Sequence, residues 1–369
     1  MDLIEYRAKQ VFADYGLPVP KGKLIHSPEE LDSIADIGTK VVIKAQVPIG
    51  GRGKAGGIKF ASSLEEARAK AKEILGMDIR GFKVRSVLVA EMIDIAKEFY
   101  LSITLDRSRR THLIIATPEG GMEIESIPDE KLARVWVPQL VGLQDFHVRA
   151  VLAKFDLPKE QAKQLAEILR RLYKLYVAED ATLAEINPLA LTPDGRLVAG
   201  DAKLAIDEDA LYRQKEYEGV ESEKTPLEVK AAEKDIAFIQ LDGNVGVIAN
   251  GAGLTMATLD ALKLHGGAGG VFLDLGGTDD PKKVREAFEL LHQAEPKSIL
   301  INIFGGITKC DTVAMGVRDA LSSLPHRIPT VARIRGTNEE AAKEILRGAG
   351  FEACDTLDEA AAAAVKLAK

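Results

Sequence analysis

From about residue 244 onward the sequence repeats one unit: an apolar run, a glycine-bearing loop, then a helix-like stretch. The runs are NVGVIAN, GGVFLDL, SILINIF and IPTVARI, and the loops after them read NGAGL (250–254), LGGTD (275–279), FGGIT (304–308) and RGTNE (335–339). Strands separated by helices do not pair as tight hairpins. Each helix crosses back over the sheet, which makes the strands parallel and covers both faces. The pattern predicts a doubly wound parallel sheet, an α/β domain, whose glycine loops gather at the carboxyl edge where ligands bind.

The first part of the chain reads differently. MDLIEYRAKQVFADYG places Ile4, Ala8, Val11, Phe12 and Tyr15 at three- and four-residue steps. This predicts a helix capped by Asp2 and stopped by Gly16, Pro18 and Pro20. There follow a strand, a glycine-rich stretch, a helix from about Ser63 to Leu75, a hairpin across RSRR, a helix over 158–178 and a hairpin at 183–206. That mixture is α+β. The segment 207–234, with EYEGVESEKTPLE, reads as a charged linker, so the expected domains are 1–234 and 235–369.

Composition excludes several classes. The length of 369 residues suits two or three cores. A net charge of -7 without a Lys/Arg block argues against a nucleic-acid binder. Cys310 and Cys354 show neither disulfide nor metal spacing. The charged N-terminus is unlike a signal peptide, and no run approaches ~18 apolar residues. The expected location is the cytoplasm, with no membrane contact.

Residues 41–60, VVIKAQVPIGGRGKAGGIKF, hold five glycines, four basic residues and no acid. A loop that wraps a polyphosphate needs N–H groups aimed at oxygens and no side chain in the way, which glycine permits. Lys44, Arg52 and Lys54 are placed to neutralise phosphate charge. The stretch is not a Walker A loop. Its plain alternative is a flexible hairpin tip with solvated charges.

The hairpin LAEINPLALTPDGRLVAGDAKLAI turns at TPDGR, with Gly195 at the left-handed position. Centring it on Asp194 sets Asn187 opposite Asp201 and Glu185 opposite Lys203, all on one face. An amide oxygen opposite a carboxylate suits Mg²⁺, which takes few protein oxygens and fills its octahedron with phosphate and water. The plain alternative is the solvated face of an ordinary antiparallel sheet.

Other patterns carry less. GAGLTM supplies G-x-G with Asp274 about 20 residues on, but Met256 stands where a dinucleotide fingerprint has its third glycine. An anion at the helix start after FGGIT is the better expectation there. Thr337 and Glu340 have the spacing of a capping box. None of the six histidines falls in a metal or triad pattern, and His112 and His292 read as packed or solvated.

The segments EYRAKQVFADYGLPVP, GGRGKAGG, DIAKEFYL, EINPL, NGAGL and NIFGGITKCD resemble the β subunits of succinyl-CoA synthetases, the succinate–CoA ligases, in order along nearly the whole chain. The resemblance implies an α+β ATP-grasp domain followed by an α/β flavodoxin-like CoA-ligase domain that meets an α subunit, as αβ or α2β2. It implies that Lys44, Gly51, Arg52 and Gly53 bind the nucleotide, with Glu91, Ile93 and Glu98 around it. Asn187 and Asp201 match Mg²⁺ ligands, and Glu185 matches a glutamate that helps hold a phosphorylated histidine of the α subunit. Asn250, Gly306, Ile307 and Thr308 match the succinate and phosphate region. The implied reaction reversibly couples succinyl-CoA cleavage to ATP or GTP formation. Rival readings are a malate–CoA ligase β chain, a stand-alone ATP-grasp carboxylate ligase, and a nucleotide-sensing or scaffold protein. FGGI, where the malate enzymes tend to have FAGI, tilts the reading toward succinate.

Overall fold

The computed structural model describes all residues except 34–36, 49–50, 80, 219, 221–223, 279, 307, 322–323 and 325–326. The chain divides into two units, Met1–Glu223 and Lys224–Lys369.

In the first unit, α1 (Glu5–Asp14) precedes β1 (Gly22–Ile25), β2 (Val41–Ala45), β3 (Ile58–Ala61), α2 (Leu64–Ile74), the short pair β4 (Asp78–Ile79) and β5 (Phe82–Lys83), and β6 (Val87–Glu91). Strands β1, β6, β2 and β3 form an antiparallel sheet in that order. Ile25, Ile43, Val87 and Val89 of this sheet pack on Ala67, Ala71 and Ile74 of α2. Ser63 caps α2 by accepting the Glu66 N–H.

Next come β7 (Lys97–Asp106), β8 (Thr111–Thr117), β9 (Ala133–Val137), α3 (Asp145–Leu152), α4 (Lys159–Ala178), β10 (Ala181–Leu191), β11 (Leu197–Ala199) and β12 (Lys203–Ile206). They make a second antiparallel sheet, ordered β11-β10-β7-β8-β9, with β12 also on β10. Its buried residues Phe99, Leu101, Ile103 and Ile186 share a core with Phe12 of α1 and with Leu165, Leu169 and Leu172 of α4.

Helix α1 ends before Gly16, whose φ is +75°, as the sequence predicts. Its start differs. Ile4 is the N-cap and makes no side-chain cap, while Asp2 bridges Ala205 and pairs with Lys203 at 3.2 Å. A residue already joined to β12 does not fold back over the helix. The buried face holds Ala8, Val11 and Phe12, and also Glu5 and Lys9.

The second unit starts earlier than the expected boundary near 235. Pro226–Ala232 form α5, closed by a reciprocal capping box between Thr225 and Glu228. Ala231 is buried in the core of this unit and Leu227 packs against it. The segment's charges conceal an amphipathic helix that folds onto the following domain. Then follow β13 (Ala237–Gln240), β14 (Val245–Ala249), α6 (Ala252–Leu264), β15 (Gly269–Asp274), α7 (Pro281–Gln293), β16 (Ser298–Gly305), α8 (Cys310–Leu321), β17 (Thr330–Gly336), α9 (Glu339–Gly348), β18 (Glu352–Cys354) and α10 (Leu357–Leu367). The sheet order is β13-β15-β14-β16-β17-β18. All neighbours are parallel except the antiparallel edge pair β13–β15.

Helices cover both faces, as a parallel sheet requires. Val284 and Phe288 of α7, Val313 of α8 and Leu346 of α9 share a core with Leu273, Ile299 and Ile301. Leu262 of α6 and Ala364 of α10 share another with Val247, Leu300 and Val331. The Thr337–Glu340 capping box is not formed. Asn338 occupies the N-cap with φ 64°, and Glu339 instead accepts the Gly336 N–H at 2.8 Å.

Candidate functional site

The glycine-rich stretch is the β2–β3 hairpin, with Lys44 opposite Ile58. Its loop closes on itself. Ala45 N–H donates to Gly57 O at 2.7 Å, Gly57 N–H to Arg52 O at 2.8 Å, and Gly56 N–H to Gly53 O at 3.1 Å. A Cβ on Gly57 would come within 2.9 Å of Ile79 Cδ1 and 3.1 Å of Arg52 O, so any other residue there must push the loop apart slightly. Gly51, Arg52 and Gly53 are left lining a cavity of about 320 Å³, together with Glu5, Lys54, Glu185, Asn187 and Asp201.

The second hairpin supplies the opposite wall. Glu185 pairs with Lys203 on one side, and Leu189 pairs with Ala199 on the other. One register therefore runs through the gap, which sets Asn187 across from Asp201. Gly195 turns the hairpin with φ +85°. Glu185, Asn187, Asp201 and Lys203 all line the same cavity, as the alternation of faces requires.

Asn187 is held by the turn after β8. Its Oδ1 accepts the Gly121 N–H at 2.8 Å and its Nδ2 donates to Met122 O at 3.1 Å. A carbonyl oxygen has two lone pairs, so Oδ1 retains one for a further partner. A Cβ on Gly121 would fall 1.9 Å from Glu98 Oε2. Gly121 also has φ +73°, a conformation that favours glycine in this turn. Glu185 Oε2 accepts the Tyr100 hydroxyl at 2.7 Å, and burial, helped by that carboxylate, pushes the phenol pKa up.

The cavity wall includes part of an ion cluster that the sequence analysis did not identify. Glu5 receives Lys44 Nζ at 2.7 Å, Lys9 Nζ at 2.8 Å and Arg52 Nη1 at 2.8 Å. Arg52 Nη2 lies 3.5 Å from Asp201, and Lys44 Nζ lies 3.9 Å from it. Both lysines also donate to Gly200 O, at 3.0 and 3.2 Å. Burial alone would raise the Glu5 pKa, but Lys9, Lys44 and Arg52 outweigh it and hold the carboxyl well below its usual range. Burial and the neighbouring Glu5 charge push Asp201 up, against Lys44 and Arg52. Burial lowers Lys9, and Glu5 opposes it. Lys44 is held up by Glu5 and Asp201 against its burial. The sequence carried a signal for the cluster: Glu5 and Lys9 lie one turn apart, interleaved with Ala8 and Phe12 on the apolar face.

The other sequence-derived residues fall elsewhere. Glu91 and Ile93 line a second cavity of the first unit, about 360 Å³, with Pro20, Thr192, Asp194 and Arg196. Glu98 lines neither of these two cavities and flanks the Gly121 turn. In the second unit, the Asn250 carboxamide pairs twice with the Phe304 backbone, both at 2.9 Å. Thr308 is buried and donates to Gly276 O at 3.2 Å, Gly306 is exposed, and Ile307 lies outside the described residues. The start of α8 offers fewer donors than expected, because Cys310 N–H goes to Thr337 O and Thr312 N–H to the Asp311 carboxylate. Asp274 accepts the Gly251 and Gly276 N–H groups at 2.6 and 2.8 Å, so this acid clamps two loops.

His112 bonds the Tyr173 hydroxyl at 3.0 Å, His147 closes the cap of α3, and His292 is buried on α7. Among the described residues, no group of three or more His, Cys, Asp or Glu side chains is placed to hold a metal. Asn187 and Asp201 offer instead two hard oxygens at the edge of a cavity, a donor set that fits Mg²⁺ completed by phosphate and water. No helix among the described residues is long and apolar enough to cross a membrane.

Two domain families match this chain: the ATP-grasp domain over residues 2–191 and the CoA-ligase domain over 248–367. The succinate–CoA ligase [ADP-forming] subunit beta 2 of Archaeoglobus fulgidus is 45% identical, with 100% of each chain covered. The succinate–CoA ligase [GDP-forming] subunit beta of Thermus thermophilus is 44% identical, covering 100% of this chain and 99% of its own. Among solved structures, ATP citrate lyase from Methanothrix soehngenii superposes with a TM-score of 0.69 over 99% of both chains at 19% identity, a likeness of fold.

Proposed function

This chain belongs to the succinate–CoA ligase β-subunit family, and we propose that it is the nucleotide-binding half of a ligase completed by an α subunit. The enzyme joins an acid to a thiol. In this reading succinyl-CoA, phosphate and ADP or GDP are converted reversibly to succinate, CoA and ATP or GTP, with the phosphoryl group carried on a histidine of the α subunit. Location in the cytoplasm and assembly as αβ or α2β2 belong to the same reading. The malate and stand-alone alternatives are not favoured by the relatives.

The observation that carries the reading is the meeting of two hairpins at one cavity. The Gly51–Gly53 backbone cradles the polyphosphate, and Arg52 neutralises it, with Lys44 behind Glu5. Asn187 and Asp201 hold Mg²⁺ from the facing hairpin. When bound, the ion supplies charge neutralisation for the transferring phosphoryl group, the main requirement of that chemistry. Glu185, with Oε2 fixed by Tyr100, orients the incoming histidine through its carboxylate. The cavity of Pro20, Glu91 and Ile93 takes the nucleoside end. In the second unit, Asn250, Gly306, Ile307 and Thr308 serve the succinate and phosphate side, with the side chains of Asn250 and Thr308 already engaged within the domain.

Among the described histidines, His112, His147 and His265 have hydrogen-bond partners within this chain. The test is turnover with succinate, CoA and nucleotide, measured on the chain alone and co-expressed with the matching α subunit. The expected result is no measurable turnover alone, full turnover with the α subunit, and preference for succinate over malate. Equal turnover by the isolated chain contradicts the proposal.

A further inference from the structure

Three cations converge on one carboxylate that lines the phosphate cavity, and Arg52 among them lines it too. Glu5 Oε1 takes Lys44 and Lys9, and Oε2 takes Arg52, each within 2.8 Å. The Glu5 side chain has 0% exposure to bulk solvent, yet it lines the cavity beside Asp201. Helix α1 brings it there, and Gln46 fixes that end of the helix by accepting the Tyr6 N–H at 2.8 Å. Buried ion clusters gain little stability over an apolar packing of the same volume. The arrangement therefore calls for a use other than stability. A carboxylate with each oxygen on a cation satisfies the same donors that phosphate oxygens would require.

We propose that Glu5 is the built-in counter-anion of the phosphate site: it holds Lys44 and Arg52 in place in the empty site, and its charge keeps phosphate binding weak until a divalent cation is present. The proposal rests on the assignment of Lys44 and Arg52 to the nucleotide phosphates. In the cluster, Lys9, Lys44 and Arg52 face Glu5 and Asp201, which leaves one positive charge in excess. A polyphosphate entering without metal meets the Glu5 charge within a few ångströms. A divalent ion held by Asn187 and Asp201 offsets that repulsion. Glu5 is thus a positioning residue, acting on the nucleotide through two cations.

The test uses the co-purified complex with its α subunit. Glu5→Gln keeps the side-chain shape and removes the charge. Its affinity for metal-free pyrophosphate, measured by calorimetry in chelator, is expected to rise at least about fivefold over the natural protein. Its thermal midpoint should gain more from added pyrophosphate than the natural protein gains. Glu5→Asp keeps the charge and should remain closer to the natural affinity than Glu5→Gln. Unchanged or weaker pyrophosphate binding by Glu5→Gln overturns the proposal. Should Glu5→Gln be unfolded when isolated, the prediction is that pyrophosphate refolds it, and a chain that stays unfolded overturns the proposal equally. Arg52→Met separates the two layers. If it leaves ADP binding unchanged, the assignment of the phosphate site fails; if it weakens ADP binding while Glu5→Gln gains nothing, only the role of Glu5 fails.

Discussion

Asp201→Asn lowers nucleotide-dependent turnover of the assembled enzyme by on the order of a hundred- to a thousandfold, with its fold intact. The substitution is nearly isosteric, and Asp201 sits at the cavity surface, partly exposed. What it removes is charge. The divalent ion loses its only charged protein ligand in the proposed pair, and Arg52 Nη2 loses a carboxylate 3.5 Å away. An amide oxygen is a weaker ligand for a hard cation. The loss should therefore shrink when Mg²⁺ is raised, and the apparent Mg²⁺ requirement should climb. Steady-state assays across a magnesium series check this, with circular dichroism to confirm the fold. Turnover within about threefold of the natural enzyme at low magnesium would remove Asp201 from the metal site.

The largest stability effect is expected at Glu5. Glu5→Gln leaves Lys9, Lys44 and Arg52 with Asp201 as their remaining carboxylate in a buried cluster. Removing one member of such a group costs about 3–5 kcal/mol. The effect carries a pH signature. The folded Glu5 pKa lies below its ordinary value of 4.5, so its contribution is fully present above about that pH. It is lost as pH falls further, through the depressed folded value. Asp201 has the opposite sign, because its folded pKa is raised above 3.8, and acidification through that window favours the fold at this position. Denaturant titrations from neutral to acid pH should show that the gap between the natural protein and Glu5→Gln closes below about pH 4.5. A gap that stays constant into acid contradicts this account of Glu5.

Much of the site was legible because β-structure has period two. Once Gly195 fixed the turn, the faces of Glu185, Asn187, Asp201 and Lys203 followed by counting, and the structure has that register. The parallel sheet was equally legible from alternating strands and helices. The misses share one cause, long-range partners that local pattern does not reveal. Asp2 reads as a helix cap until β12 claims it. Thr337 has capping-box spacing, but the backbone turns left-handed at Asn338. Helix α5 looks like linker because it follows the charged run EYEGVESEK and has only Leu227 and Ala231 to mark its packed side. The second cavity brings together residues 18–20, 91–94 and 192–198, three segments with no shared sequence pattern. Glu5 and Lys9 were readable as a polar pair inside an apolar stripe, but only the fold shows that the stripe faces Lys44 and Arg52.

The most direct test is a crystal structure of the αβ assembly with ADP and Mg²⁺. The metal should sit about 2.1 Å from an Asn187 or Asp201 oxygen and from a phosphate oxygen that the Gly51–Gly53 backbone also contacts. A diphosphate bound away from that loop, or a metal with neither residue in its shell, contradicts the account.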